Sequence, residues 1–152
     1  MDNQETESVM TYGKQVQDEL RPHARELRRM IPDVYKGFAA LHDAALAEGA
    51  LDTKTKELIA LAIAVSSECD GCIAAHAHAA VRHGATLGEA AEAIGVTILM
   101  NGGPATVYGP RAYAAFSEFH AEFADTDEAP TGARRDDGAD HGHGDNQRPQ
   151  GG

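Results

Sequence analysis

The chain has two cysteines, Cys69 and Cys72, and His76 follows four residues after the second. Glu57 lies twelve positions before Cys69. Thiols, an imidazole and a carboxylate can hold a metal, cross-link a fold or exchange electrons. If Cys69 to His76 opens a helix, Cys72 lies one turn from both Cys69 and His76, and the three share a face. The first turn of a helix has free N–H groups and a partial positive charge, which stabilise a thiolate. An imidazole one turn on can take the thiol proton, without which only a few per cent of an ordinary thiol is ionised near neutral pH.

Other readings stay open at this level. The cysteines could be small buried hydrophobes with His76 a packed helix residue. C-x2-C-x3-H also supplies three zinc ligands, with Glu57, His83 or a water as the fourth. Glu57 itself could be an ordinary first-turn glutamate favoured by the helix dipole. It opens the most apolar helix of the chain, however, and a carboxylate entering a buried helix needs a partner. His76, reached directly or through water, is the candidate.

The elements that must position these groups are helical. A charged segment over 12–30 contains Pro22, which is expected to split or start a helix. A second helix is expected from Pro32, with Val34, Phe38, Leu41 and Ala45 on one face and Gly49 as its stop. Asp52 is a good N-cap for a third over 53–67, whose "LIALAIAV" core reads as buried all round. The "SSECDGC" stretch interrupts it, and a fourth helix from Asp70 to Arg82 ends at Gly84. Thr86 and Glu89 form a capping box ahead of Leu87, Ala90, Ala91, Ile94, Ile98 and Leu99. "NGGP" breaks the chain at 101–104. A last helix carries Ala112, Phe116, Phe119 and Phe123, with Pro110 expected to kink or restart it.

The fold class is therefore all-α, with about six helices over 1–124 and a disordered acidic, Gly- and Asp-rich tail over 125–152. Tail residues include seven acids and three arginines, so much of the net charge of −11 lies elsewhere. Such a surface argues against nucleic acid or an anionic membrane as partner. No apolar run is long enough to span a bilayer. The start, "MDNQETESVM", has neither the basic nor the apolar region of a secretory signal, so a cytoplasmic location is expected. There a permanent structural disulfide is unexpected, because ordinary thiols are kept reduced. With almost no large aromatics, the Ala-rich domain is also expected to gain burial by assembling with itself.

Glu57, Cys69, Cys72 and His76, with "NGGPA" after the next amphipathic helix, resemble the carboxymuconolactone decarboxylase-like family, and more closely its AhpD-type alkylhydroperoxidase branch. The resemblance covers roughly residues 32–119. It implies an AhpD-like helical domain assembling into a homotrimer or homohexamer, and a thiol-based peroxidase or disulfide-exchange activity. Decarboxylase members generally lack the cysteine pair, which argues against that reaction. By the same resemblance, Cys72 is the peroxidatic thiol, Cys69 the resolving one, His76 the base and Glu57 its partner in a proton relay. The substrate would be a hydroperoxide and the reductant an external dithiol, lipoyl-type or thioredoxin-like, with no metal or organic cofactor needed. Gly71 departs from the pattern, which carries a histidine there, and Asp70 adds a charge that opposes thiolate formation. A dithiol–disulfide exchange protein with little peroxidase activity is the alternative, followed by a non-catalytic, redox-responsive helical assembly. His83 is expected at a helix C-cap, His78 at the surface, and "DHGHGD" in solvated linker.

Overall fold

The structure, a computed structural model, describes residues 11–126. It contains six helices: α1 (Lys14–Met30), α2 (Pro32–Leu46), α3 (Thr53–Ser66), α4 (Asp70–Arg82), α5 (Leu87–Asn101) and α6 (Gly103–Asp125). Among the described residues there is no strand, as an all-α reading requires. None of these helices is long and apolar enough to cross a membrane. Helix α6 runs one residue into the stretch expected to be tail. Thr126 caps its end, and residues 127–152, with "DHGHGD", lie outside the described residues.

Local chemistry accounts for most helix ends. Asp52 Oδ1 accepts the Thr55 N–H at 2.7 Å and starts α3. Thr86 and Glu89 exchange hydrogen bonds in both directions at the head of α5. Lys54 on α3 donates to the same Glu89 at 2.6 Å. That bond, and then the Thr86 backbone N–H, hold Glu89 below the usual carboxylate range. Gly102, at φ +65°, separates α5 from α6, which then starts with Gly103 and Pro104.

The core is made by α3 to α6. Leu61, Val65, Ile73 and Phe116 are its largest fully buried side chains, set among alanines from all four helices. Small residues let these helices approach closely. A Cβ at Gly109 would stand 2.9 Å from Ile94 Cγ2, so glycine is what permits α5 and α6 to touch there.

Several expectations are corrected. Pro22 and Pro110 lie inside continuous helices α1 and α6 and split neither. No residue of α1 is buried, so water can reach the carbonyl that Pro22 leaves unpaired. Helix α2 ends at Leu46, before Gly49 is reached. Its face of Val34, Phe38 and Leu41 is exposed, because α2 packs its backbone only on α1 and α3. Helix α3 is not buried all round, since Ile59 and Ile63 face outward. On α5, Ile98 and Leu99 are exposed while Ala90, Ile94 and Thr97 are buried.

His78 is not a surface residue. Its ring lies 4.9 Å from that of Phe119 and 6.0 Å from that of Phe123. Burial first, and then the Arg82 charge, push it below the usual histidine range, with Glu122 opposing. The unfolded chain therefore binds a proton at a pH where the folded one does not, and stability falls as pH drops below about 6.5. The urea midpoint of the wild type is expected to decline between about pH 7 and about pH 5, and His78→Phe to reduce that decline. Equal declines in the two proteins would contradict the assignment.

Candidate functional site

Helix α3 ends and α4 begins within three residues, and this junction builds the site. Glu68, at φ 54°, adopts the left-handed conformation usually left to glycine. Its N–H bonds to Val65 O at 3.1 Å, and the Cys69 N–H to Ala64 O at 3.1 Å. This pairing closes the end of α3 and turns the chain sharply. It also delivers Cys69 directly to the N-cap of α4, where its Sγ accepts the Cys72 N–H at 3.3 Å.

Cys69 and Cys72 are disulfide-bonded, with Cα atoms 5.3 Å apart. That spacing lies within the ordinary range for a bridge. Cys69 is half-buried and Cys72 exposed. The exposed member of the pair is thus the one at the third position of α4.

Glu57, on the second turn of α3 and not the first as expected, meets His76 of α4: Oε2 lies 2.7 Å from Nδ1. Glu57 is buried and His76 half-buried, so the expected partnership is direct and needs no water. An ionised carboxylate only accepts, so it fixes a proton on Nδ1 and leaves the Nε2 lone pair free. A free Nε2 can act as a base. His76 also lies one turn beyond Cys72 on the same helix.

Two residues around the site, one beside Asp70 and one beside His76, were not singled out from sequence. Arg111 of α6 pairs with Asp70, Nη1 to Oδ2, at 3.1 Å, and its guanidinium lies over the rings of Tyr12 and Tyr108. The Asp70 charge that was expected to oppose a thiolate is therefore offset by a neighbouring cation. Nothing in the spacing of Arg111 announces this contact across 41 positions. His42 of α2 stacks on His76, ring centroids 6.4 Å apart. The only sequence cue to it was its place within one turn of Phe38 and Leu41, on a helix whose partners were unknown.

Gly71 lies under α1. A Cβ there would stand 3.1 Å from Leu20 Cδ1, tight but relieved by a small shift of that exposed side chain. His83 is the C-cap of α4, as expected, and its N–H bonds back to Ala79 and Ala80. It lies at the opposite end of α4 from the cysteines. Among the described residues no three His, Cys, Asp or Glu side chains cluster in a metal-binding arrangement.

An all-helical protein with a C-x2-C pair capping one helix, backed by a histidine–carboxylate couple, is the class defined so far. The profile of the carboxymuconolactone decarboxylase family matches residues 32–118, and the chain belongs to that family. An uncharacterised protein of Cupriavidus necator is 39% identical over 90 residues, spanning 59% of this chain and 80% of that one. An uncharacterised protein of the cox locus of Paracoccus denitrificans is 39% identical over 93 residues, 61% of this chain and 84% of its own. Among solved structures, an apo family protein from Legionella pneumophila superposes with a TM-score of 0.67 at 40% identity, covering 70% of this chain and 95% of that one. A family protein from Thermotoga maritima, described as of possible involvement in an antioxidative response, gives 0.62 at 28% identity, covering 74% and 98%.

The Glu57–His76 contact should carry stability as well as chemistry. Glu57→Ala leaves the buried imidazole nitrogen without its partner and is expected to cost about 1–3 kcal/mol in urea unfolding. Glu57→Gln keeps the shape and a hydrogen bond and should cost less. If Glu57→Ala unfolds like the wild type, the pair is not the buried contact described.

Proposed function

We propose that the protein is a thiol-dependent hydroperoxide reductase of the alkylhydroperoxidase type, working in the cytoplasm. The observation that supports this reading most is one helix start holding both cysteines, with the His76–Glu57 couple a turn further on. His76 takes the proton of Cys72. The thiolate attacks the terminal oxygen of a hydroperoxide, the O–O bond breaks, and the leaving alkoxide receives a proton. Sulfur is oxidised by two electrons to the sulfenic acid and the hydroperoxide is reduced to an alcohol. Cys69 then displaces water from the sulfenic acid to give the disulfide. An external dithiol, lipoyl-type or thioredoxin-like, restores both thiols by exchange and leaves as its own disulfide.

The expected outcome is hydroperoxide consumption with a dithiol donor by the wild type, abolished in Cys72→Ser and markedly slower in Cys69→Ser, which has no second thiol to close the disulfide. Full activity in both variants would refute the assignment. A specific feature also favours dithiol–disulfide exchange as the second reading: Cys69 Sγ sits at the N-cap and accepts a helix N–H. That placement favours a Cys69 thiolate, as in other C-x2-C helices. Exchange with a model disulfide that far outpaces hydroperoxide turnover would select it.

Assembly into a homotrimer or homohexamer completes the reading. Its support is the exposed apolar set of Val34, Phe38 and Leu41 on α2, Ile59 and Ile63 on α3, and Leu99 and Met100 on α5. Exposed apolar side chains on three helices are surface that self-assembly would cover. Sedimentation is expected to give three or six times the protomer mass of 16.1 kDa, and Phe38→Glu to lower it. A monomeric wild type would contradict the assembly.

A further inference from the structure

Glu57, His76 and His42 form a line from the core to water. Their side chains are 3%, 24% and 45% exposed, in that order. Each belongs to a different helix: α3, α4 and α2. Glu57 occupies Nδ1 of His76, and the His42 ring lies over the His76 ring with their planes 18° apart. His42 Nδ1 lies 3.4 Å from Asp43 Oδ1, so each imidazole has a carboxylate at Nδ1.

An exposed histidine on a helix is usually a solvated surface residue. His42 differs because it comes from a helix with no buried residue and yet its ring runs near-parallel to the half-buried imidazole, centroids 6.4 Å apart. At 6.4 Å between near-parallel rings, the nitrogens do not hydrogen-bond face to face. A separation of this size is one that a single bridging water can span.

We propose that His42 is a positioning residue that acts through His76, carrying protons between His76 and bulk water. The proposal rests on the reading of His76 as the base for Cys72. Turnover is proton-neutral overall but divided in time. The proton leaves Cys72 before the O–O bond breaks, and the alkoxide needs one afterwards. Reset by the dithiol again separates the protons lost by the donor from those gained by Cys69 and Cys72. His42 lets His76 discharge to solvent and reload between these steps, with no change in the redox balance already given.

The test compares wild type, His42→Ala and His42→Phe in the reduction of cumene hydroperoxide with dithiothreitol. Both variants are expected to lose about tenfold in kcat with KM unchanged, less than the roughly 100-fold or more of a group that transfers the reacting proton directly. Added imidazole is expected to restore kcat in His42→Ala, in proportion to its concentration. The rate at which the reduced wild type and variants are alkylated by iodoacetamide is expected to follow the same pH profile. Wild-type kcat in His42→Phe overturns the proposal, since Phe keeps the stacked face and has no ring nitrogen. Loss of kcat without imidazole rescue, or a shifted alkylation profile, also overturns it in favour of a structural or electrostatic role. A wild type that turns over no hydroperoxide overturns the parent reading and this one with it, and is told apart by that control.

Discussion

A carboxylate buried at the start of an apolar helix is the constraint on which this site depends. Left alone, Glu57 would oppose folding, because taking a charge out of water is costly without a partner. His76 supplies that partner at 2.7 Å from a neighbouring helix. The contact ties the second turn of α3 to the second turn of α4, and so fixes how the two helices lie around the cysteine turn. It also sets which imidazole nitrogen is free. One hydrogen bond thereby links packing, tautomer and chemistry.

The cysteine turn obeys a second constraint, that of ending one helix and starting another in three residues. Glu68 accepts a left-handed backbone, at a cost of roughly 1 kcal/mol, so that Cys69 can cap α4. Around this turn other helices act as clamps. Arg111 of α6 holds Asp70, and the Gln17 side chain of α1 donates to the Ala74 carbonyl at 3.2 Å. Glu118 of α6 accepts the N–H groups of Gly13 and Lys14 and anchors the start of α1. The cysteine turn thus sits on a framework whose caps and ion pairs come from distant parts of the chain.

What was legible in the sequence is what local physics decides. Asp52, the Thr86–Glu89 box, Gly84 and Gly102 mark helix ends because caps are short-range, and Cys69, Cys72 and His76 share a face because helical spacing is fixed. The Glu57–His76 contact was legible for a different reason: an acid in an apolar helix must find a partner. Proline misled twice, since Pro22 and Pro110 weaken helices without obliging them to break. Arg111 and His42 were not legible, because each reaches the site from another helix and its own neighbours carry no sign of the contact. The apolar face of α2 was read correctly as a face, but periodicity alone does not say what covers it.

The account stands on His76 acting as the base that ionises Cys72. The most direct measurement is the pH dependence of alkylation of each cysteine in the reduced wild-type protein, resolved by peptide mass spectrometry. The expected result is that Cys72 reacts half-maximally at least one pH unit below the ordinary thiol value of about 8.5, and that Glu57→Gln moves this point upward. Two thiols that both titrate near that ordinary value, unmoved by Glu57→Gln, would contradict the central claim.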